Sequence, residues 1–193
     1  MVTAIILGAG FSRRFGKEKL LMEIDNKPII CHVTDIIASC DFHNIIMIYQ
    51  NEEIKRVTSR ANIQYVYNPN ADRGMSTSVI CGVNNSIETN GYMFFNGDQP
   101  LISKEIINKL LNAFYDNKGS IIAPTYNGIR GNPVIFHTKW KNELLNVTGD
   151  VGGRNIIKEN TQEVFFIEMN KAKYGMDIDT WEDYIIVKEM LDK

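Results

Sequence analysis

The residues whose types and spacing could do chemistry fall into a cluster of glycines and cations near the start of the chain and a set of aspartates far downstream. Leu7-Gly8-Ala9-Gly10-Phe11-Ser12-Arg13-Arg14-Phe15-Gly16-Lys17-Glu18-Lys19 follows a short apolar run. Gly8 and Gly10 lack a Cβ, so backbone amides there can approach a phosphate closely. Arg13, Arg14, Lys17 and Lys19 add four cations within seven positions, suited to a polyphosphate or to charge building on a departing pyrophosphate. A solvated basic turn would have the same composition. A dinucleotide loop needs a third glycine where Arg13 stands and an acid where Tyr49-Gln50-Asn51 stands. The Walker pattern needs Gly-Lys-Ser/Thr after four intervening residues, and that is missing too. The loop belongs to another class of phosphate binder.

Asn96-Gly97-Asp98-Gln99-Pro100 directly follows the apolar run 92–95, which places Asp98 at the carboxyl edge of a strand beside the first loop. A carboxylate there suits a hard divalent cation, Mg²⁺ or Mn²⁺, held by one or two acids and the substrate's phosphates. The competing reading is a turn. In Asp177-Ile178-Asp179-Thr180, alternation puts both carboxylates on one side of an extended segment, so either can join Asp98 at a metal. Asp179 or Thr180 can instead cap the helix that follows. The segment 68–78, from Asn68 through Gly74-Met75-Ser76-Thr77-Ser78, leads from a strand into a helix, where free amides and hydroxyls favour a base or ribose. Gly128-Ile129-Arg130-Gly131-Asn132-Pro133 and Gly149-Asp150-Val151-Gly152-Gly153-Arg154 suit either a polar phosphorylated ligand or plain turns.

These stations need a frame to bring them together. A chain of 193 residues is long enough for one well-buried core, so residues 1–193 are expected to form a single domain. With 44% hydrophobic and 23% charged residues the composition is globular, and a formal charge of −2 argues against nucleic acid as a partner. The N-terminal run lacks a basic n-region and is interrupted by Gly8 and Gly10, which speaks against a signal peptide or a membrane span and points to a cytoplasmic protein. Cys31, Cys40 and Cys81 read as reduced thiols. Runs at 4–7, 45–49, 63–67, 92–95, 120–123 and 164–167 suit strands buried on both faces. Helical patterns lie between them, at 29–38 behind Pro28, after the capping Ser103, and after Thr180 with Glu182 and Asp183 in the first turn. The expected fold is α/β, a three-layer α/β/α Rossmann-like arrangement around a mostly parallel sheet. Ligands then sit beyond the carboxyl ends of the strands.

Leu7, Gly10, Ser12, Arg14, Gly16 and Lys19 match the signature Leu-x-x-Gly-x-Ser-x-Arg-x-Gly-x-x-Lys, and the segment resembles that of the molybdenum cofactor nucleotidyltransferases. Leu7-Gly8-Ala9-Gly10 and Glu18-Lys19-Leu20 are more similar to the cytidylyl than to the guanylyl branch, in which Leu-Ala-Gly-Gly and Asp-Lys-Gly are usual. Gly8 departs from the alanine usual in the cytidylyl branch. Gly97-Asp98-Gln99-Pro100 resembles the family's metal station, and Asp177-x-Asp179-Thr180 its second acidic pair, with Trp181 in place of proline. The resemblance implies a three-layer nucleotidyltransferase fold with Asp98 and Asp179 at the metal, Asp177 second in line. It also implies Arg14, Lys19 and Asp98 as catalytic residues. Leu7, Gly8, Ala9, Gly10, Ser12, Arg13, Lys19, Asn68, Ser76, Ser78, Gly97 and Asp98 would bind the nucleotide, and Asn132, Asp150, Gly152 and Arg154 the pterin acceptor.

The reaction so implied is transfer of CMP from CTP to a molybdopterin-type phosphorylated acceptor, releasing pyrophosphate, with the product handed to a molybdenum hydroxylase. Rival expectations are a guanylyltransferase for the same acceptor, a sugar-phosphate nucleotidyltransferase, and a non-catalytic nucleotide-binding chaperone of a molybdoenzyme. The three acids Asp98, Asp177 and Asp179 speak against the last, since pure binding does not require them all.

Overall fold

A computed structural model describes residues 1–11, 15, 18–170 and 172–191. The first strand, β1 (Val2–Gly8), is apolar on both sides, and its side chains alternate between two cores. Ala4 and Ile6 enter one and Ile5 the other. A small hairpin of β2 (Glu23–Ile24) and β3 (Lys27–Pro28) leads into α1 (Ile29–Ala38). Pro28 precedes the first helical residue, where its missing N–H costs nothing.

The chain then lays down β4 (Asn44–Tyr49), α2 (Glu52–Val57), β5 (Gln64–Tyr67), α3 (Met75–Asn84), β6 (Gly91–Asn96) and α4 (Lys104–Tyr115). Ser103 caps α4 by accepting from the Ile106 amide. There follow β7 (Ile121–Tyr126), β8 (Ile129–Arg130), β9 (Val134–His137), α5 (Lys141–Leu145), α6 (Arg154–Glu159), β10 (Val164–Met169) and α7 (Trp181–Leu191).

The main sheet runs β10-β7-β9-β6-β1-β4-β5, with β8 paired to β7. It is mostly parallel, and β9 runs against both β6 and β7. Helices α1, α4 and α7 supply one core and α3, α5 and α6 the other, giving the three layers. Because β1 pairs with β4 on one side and β6 on the other, the chain reverses its direction of travel between β1 and β6. Beyond the carboxyl ends of two such strands a crevice opens.

One expectation needs correction. The runs at 63–67 and 164–167 are not buried on both faces: β5 and β10 end the sheet, each pairs on one side only, and Tyr67, Phe165 and Phe166 are exposed. The residues after Pro133, which the apolar runs left unassigned, form the strand β9. Cys31, Cys40 and Cys81 are free thiols, and burial pushes each above its ordinary pKa. Among the described residues no helix is long and apolar enough to cross a membrane.

Candidate functional site

The crevice between β1 and β6 contains a cavity of about 440 Å³. Its walls come from three of the stations. Leu7, Ala9 and Gly10 follow β1, Gly97 and Asp98 follow β6, and Gly74, Met75 and Ser78 open α3. Register explains the meeting of the first two, because Leu7 pairs with Asn96 and the Gly97 amide donates to the Leu7 carbonyl at 3.2 Å. A Cβ at Gly97 would lie 3.1 Å from that carbonyl, so the close crossing favours glycine.

The two glycines of the first loop differ in what they do. Gly8 is the last residue of β1, and a Cβ there would lie 2.9 Å from the Met47 sulfur. It is a packing glycine behind the cavity and not among the lining residues, contrary to the expectation that it faces phosphate. Gly10 does line the cavity, and a Cβ on it would have nothing within 4 Å. Ser12, Arg13, Arg14, Gly16 and Lys17 lie outside the described residues.

Lys19 joins the loop to the acids. Its ammonium donates to Asp98 Oδ2 at 2.7 Å and to Asp179 Oδ1 at 3.4 Å. Burial, the largest influence, lowers its pKa, but the two carboxylates outweigh it and the net shift is upward, so the ammonium form is secured. Asp177 completes the group: its Oδ1 accepts from the Asn96 carboxamide at 3.1 Å, and burial pushes its carboxyl up to about 6, helped by the neighbouring Asp98 and Asp179. Two carboxylates thus meet the Lys19 ammonium, and the third, Asp177, is close enough to feel its charge. Hard oxygen donors carrying surplus negative charge fit a divalent cation. Among the described residues no three acidic, histidine or cysteine side chains form a ready-made cluster, so such a cation would need oxygens from its substrate as well.

The acids reach this place because β6 ends at Asn96 and because the backbone at Ile178 is tied to the Asp98 carbonyl at 3.1 Å. The capping question at residues 179 and 180 resolves by division of labour. Thr180 accepts from the Asp183 amide while Asp183 Oδ2 accepts from the Thr180 amide, a reciprocal cap that leaves Asp179 on Lys19. Trp181, the departure from the family pattern, packs its ring on buried Phe15 at a centroid distance of 5.4 Å, linking α7 to the first loop.

The α3 entrance differs from expectation. Its first amides are not free: Met75 donates to Asp150 Oδ1 at 3.0 Å and Ser76 to the Gly149 carbonyl at 3.0 Å. Gly74, at φ 106°, allows this, because a Cβ there would lie 2.6 Å from the Asp150 carboxylate. Asn68 is buried and donates to Thr77 and Ser78, and Ser76 is buried outside the cavity lining. Asp150 lines the cavity while capping α3.

A second, smaller pocket adjoins the first and shares Leu7, Met75 and Asn96 with it. Asn132, Gly152 and Arg154 line it as a group, together with Arg130. Arg130 and Asn96 stand in segments marked from the sequence but were not individually assigned to the site. A strand-end carboxamide directly before Gly-Asp and an arginine two residues before an Asn-Pro pair were the available signals. Tyr126 was also missed: its hydroxyl donates to the Asn132 carbonyl at 3.0 Å, and its ring lies between Gly131 and Gly175. Burial, with a contribution from Asp177, drives its phenol well above the ordinary range.

The fold and this arrangement define a nucleotidyltransferase. The MobA-like NTP transferase domain matches residues 4–164, and the chain belongs to that family. It is 25% identical to the molybdenum cofactor cytidylyltransferase of Escherichia coli (strain K12) over 190 residues, covering 97% of this chain and 96% of the relative. With the probable molybdenum cofactor guanylyltransferase of Pyrococcus horikoshii it shares 23% identity over 147 residues, 76% of this chain and 73% of the relative. The solved structure of Rv0371C from Mycobacterium tuberculosis in complex with manganese superposes with a TM-score of 0.82 at 19% identity, covering 97% of this chain and 98% of that one.

Proposed function

We propose that this nucleotidyltransferase transfers CMP from CTP to the terminal phosphate of a molybdopterin-type acceptor, in the cytoplasm, with Mg²⁺ or Mn²⁺, for delivery to a molybdenum hydroxylase. The observation that carries the reading is the 2.7 Å pair between Lys19 and Asp98 at the mouth of the β1–β6 crevice, with Asp177 and Asp179 beside it.

An oxygen of the acceptor phosphate bonds to the α-phosphorus of the triphosphate. The bond to the bridging oxygen breaks, and pyrophosphate leaves with the electron pair. A phosphate monoester with a second pKa near ~6 is largely dianionic at neutral pH, so no proton needs removing and no histidine base is required. Asp98 and Asp179, with Asp177 second in line, would hold the cation, and a divalent ion there would supply charge neutralisation at the phosphates. Lys19 neutralises the same phosphates, and Arg14 is assigned to them from the sequence. Leu7, Ala9, Gly10, Gly97 and Ser78 shape the nucleotide's side of the cavity, while Asn132, Gly152 and Arg154 take the acceptor. CTP is preferred because Ala9 and Leu20 stand where guanylyltransferases usually carry glycine, and because the cytidylyltransferase relative matches at nearly full length.

Replacing Asp98 with Ala tests the assignment. The variant should lose metal-dependent pyrophosphate release by a factor of about 10³ or more while keeping its circular dichroism spectrum. Undiminished turnover would refute it.

A further inference from the structure

The smaller pocket holds an electrostatic arrangement that folding alone does not favour. Arg130, half-buried on β8, and Arg154, exposed at the start of α6, both line it, and no aspartate or glutamate does. Among the described residues neither guanidinium has a carboxylate partner. The nearby Asp150 is engaged with the Met75 amide. Burial and then the proximity of Arg154 both lower the Arg130 pKa, so the Arg130 charge is held at a cost. Two like charges gathered in a concave, partly desolvated place without a counter-charge lower stability unless an anion joins them. The rest of the lining contains the rings of Phe94 and Phe136 and the carboxamides of Asn96 and Asn132. Asn96 also lines the larger cavity and bonds Asp177, so an anion between the two arginines would border the group of acids.

We propose that Arg130 and Arg154 form a clamp for the acceptor's terminal phosphate, with Arg130 a substrate-binding residue that determines selection of phosphorylated acceptors. This rests on the transferase reading above for the identity of the acceptor. Paired guanidiniums suit a tetrahedral dianion because each presents a fork of N–H donors. They also favour the doubly charged form, which is the nucleophile.

The test uses the intact protein with Arg130→Gln, Arg154→Gln and, as a charge control, the exposed Lys118→Gln, with inorganic phosphate as the probe at constant ionic strength. Phosphate should raise the melting temperature of the wild type and of Lys118→Gln but not of either arginine variant. Without phosphate, Arg130→Gln should melt higher than wild type, because a like-charge contact is gone; a structural arginine would give the opposite sign. Retention of the full phosphate response in Arg130→Gln, or a lower melting temperature without phosphate, would overturn the clamp. In turnover, Arg130→Gln should raise the KM for acceptor tenfold or more and leave the KM for nucleotide within twofold. A rise in nucleotide KM alone would assign the anion to the triphosphate and also overturn the proposal. The melting measurements need no turnover, so an intact phosphate response in a protein that transfers no nucleotide would sink the transferase reading separately.

Discussion

Asp177 carries the sharpest consequence at the scale of single residues. Its carboxyl is pushed up to about 6, first by burial and then by Asp98 and Asp179, against the opposing hydrogen bond from Asn96 and the Lys19 charge. The folded protein therefore holds this proton more tightly than the unfolded chain does. The charged form costs stability above about pH 6, and the cost fades as pH falls towards the ordinary value of 3.8. Asp177→Asn, which retains an oxygen to accept from Asn96, should stabilise the protein by about 1–2 kcal/mol at pH 8 and by almost nothing near pH 4. Thermal melts at the two pH values check this, and equal shifts at both would contradict it. Lys19→Ala removes an ammonium shared by Asp98 and Asp179, and its expected effect is a fall in kcat of about 10²-fold or more. At this scale the sequence spoke clearly where a residue's chemistry and its position after a strand coincided, as at Asp98. It was silent on Tyr126, whose role depends on two glycines far apart in the chain, Gly131 and Gly175, closing over its ring.

Among the elements, the entrances of α3 and α7 decide how the site is held. The 149–154 segment is not only a wall of the smaller pocket: Asp150 caps α3 through the Met75 amide and so joins the two sides of the larger cavity. Asp150→Ala should cost about 1 kcal/mol of stability, as loss of a helix cap does, measured by urea denaturation. Trp181 rests on Phe15 and so ties α7 to the first loop. Trp181→Ala should raise the KM for nucleotide several-fold more than it lowers kcat, because it loosens the loop without touching Lys19, Asp98 or Asp179; steady-state kinetics separates the two. The strands and main helices were legible from apolar runs and from caps such as Ser103. Strand β9 was not, because Val134–His137 follows a Gly-Asn-Pro turn closely and fills an antiparallel slot between β6 and β7 that no local pattern announces. Edge position was equally hidden, since Phe165 and Phe166 look like core residues until the sheet order leaves β10 at the rim.

In the molecule as a whole, the reversal of strand order between β1 and β6 places a large cavity beside a small one with Leu7, Met75 and Asn96 between them. Two adjoining compartments, one bordered by acids and Lys19 and the other by a pair of arginines, suit an enzyme that must bring two phosphorylated substrates end to end. The three-layer fold was readable in advance because β-rich runs alternate with amphipathic helices. The contiguity of the pockets was not, for it depends on α3 and the 149–154 segment being bonded to each other. Pyrophosphate release, measured with each of the four nucleoside triphosphates in turn, with and without molybdopterin and with Mg²⁺ present, tests the central claim most directly. Release that requires the acceptor and is at least tenfold faster with CTP than with any other triphosphate is the predicted result; release that ignores the acceptor, or that prefers GTP, would contradict it.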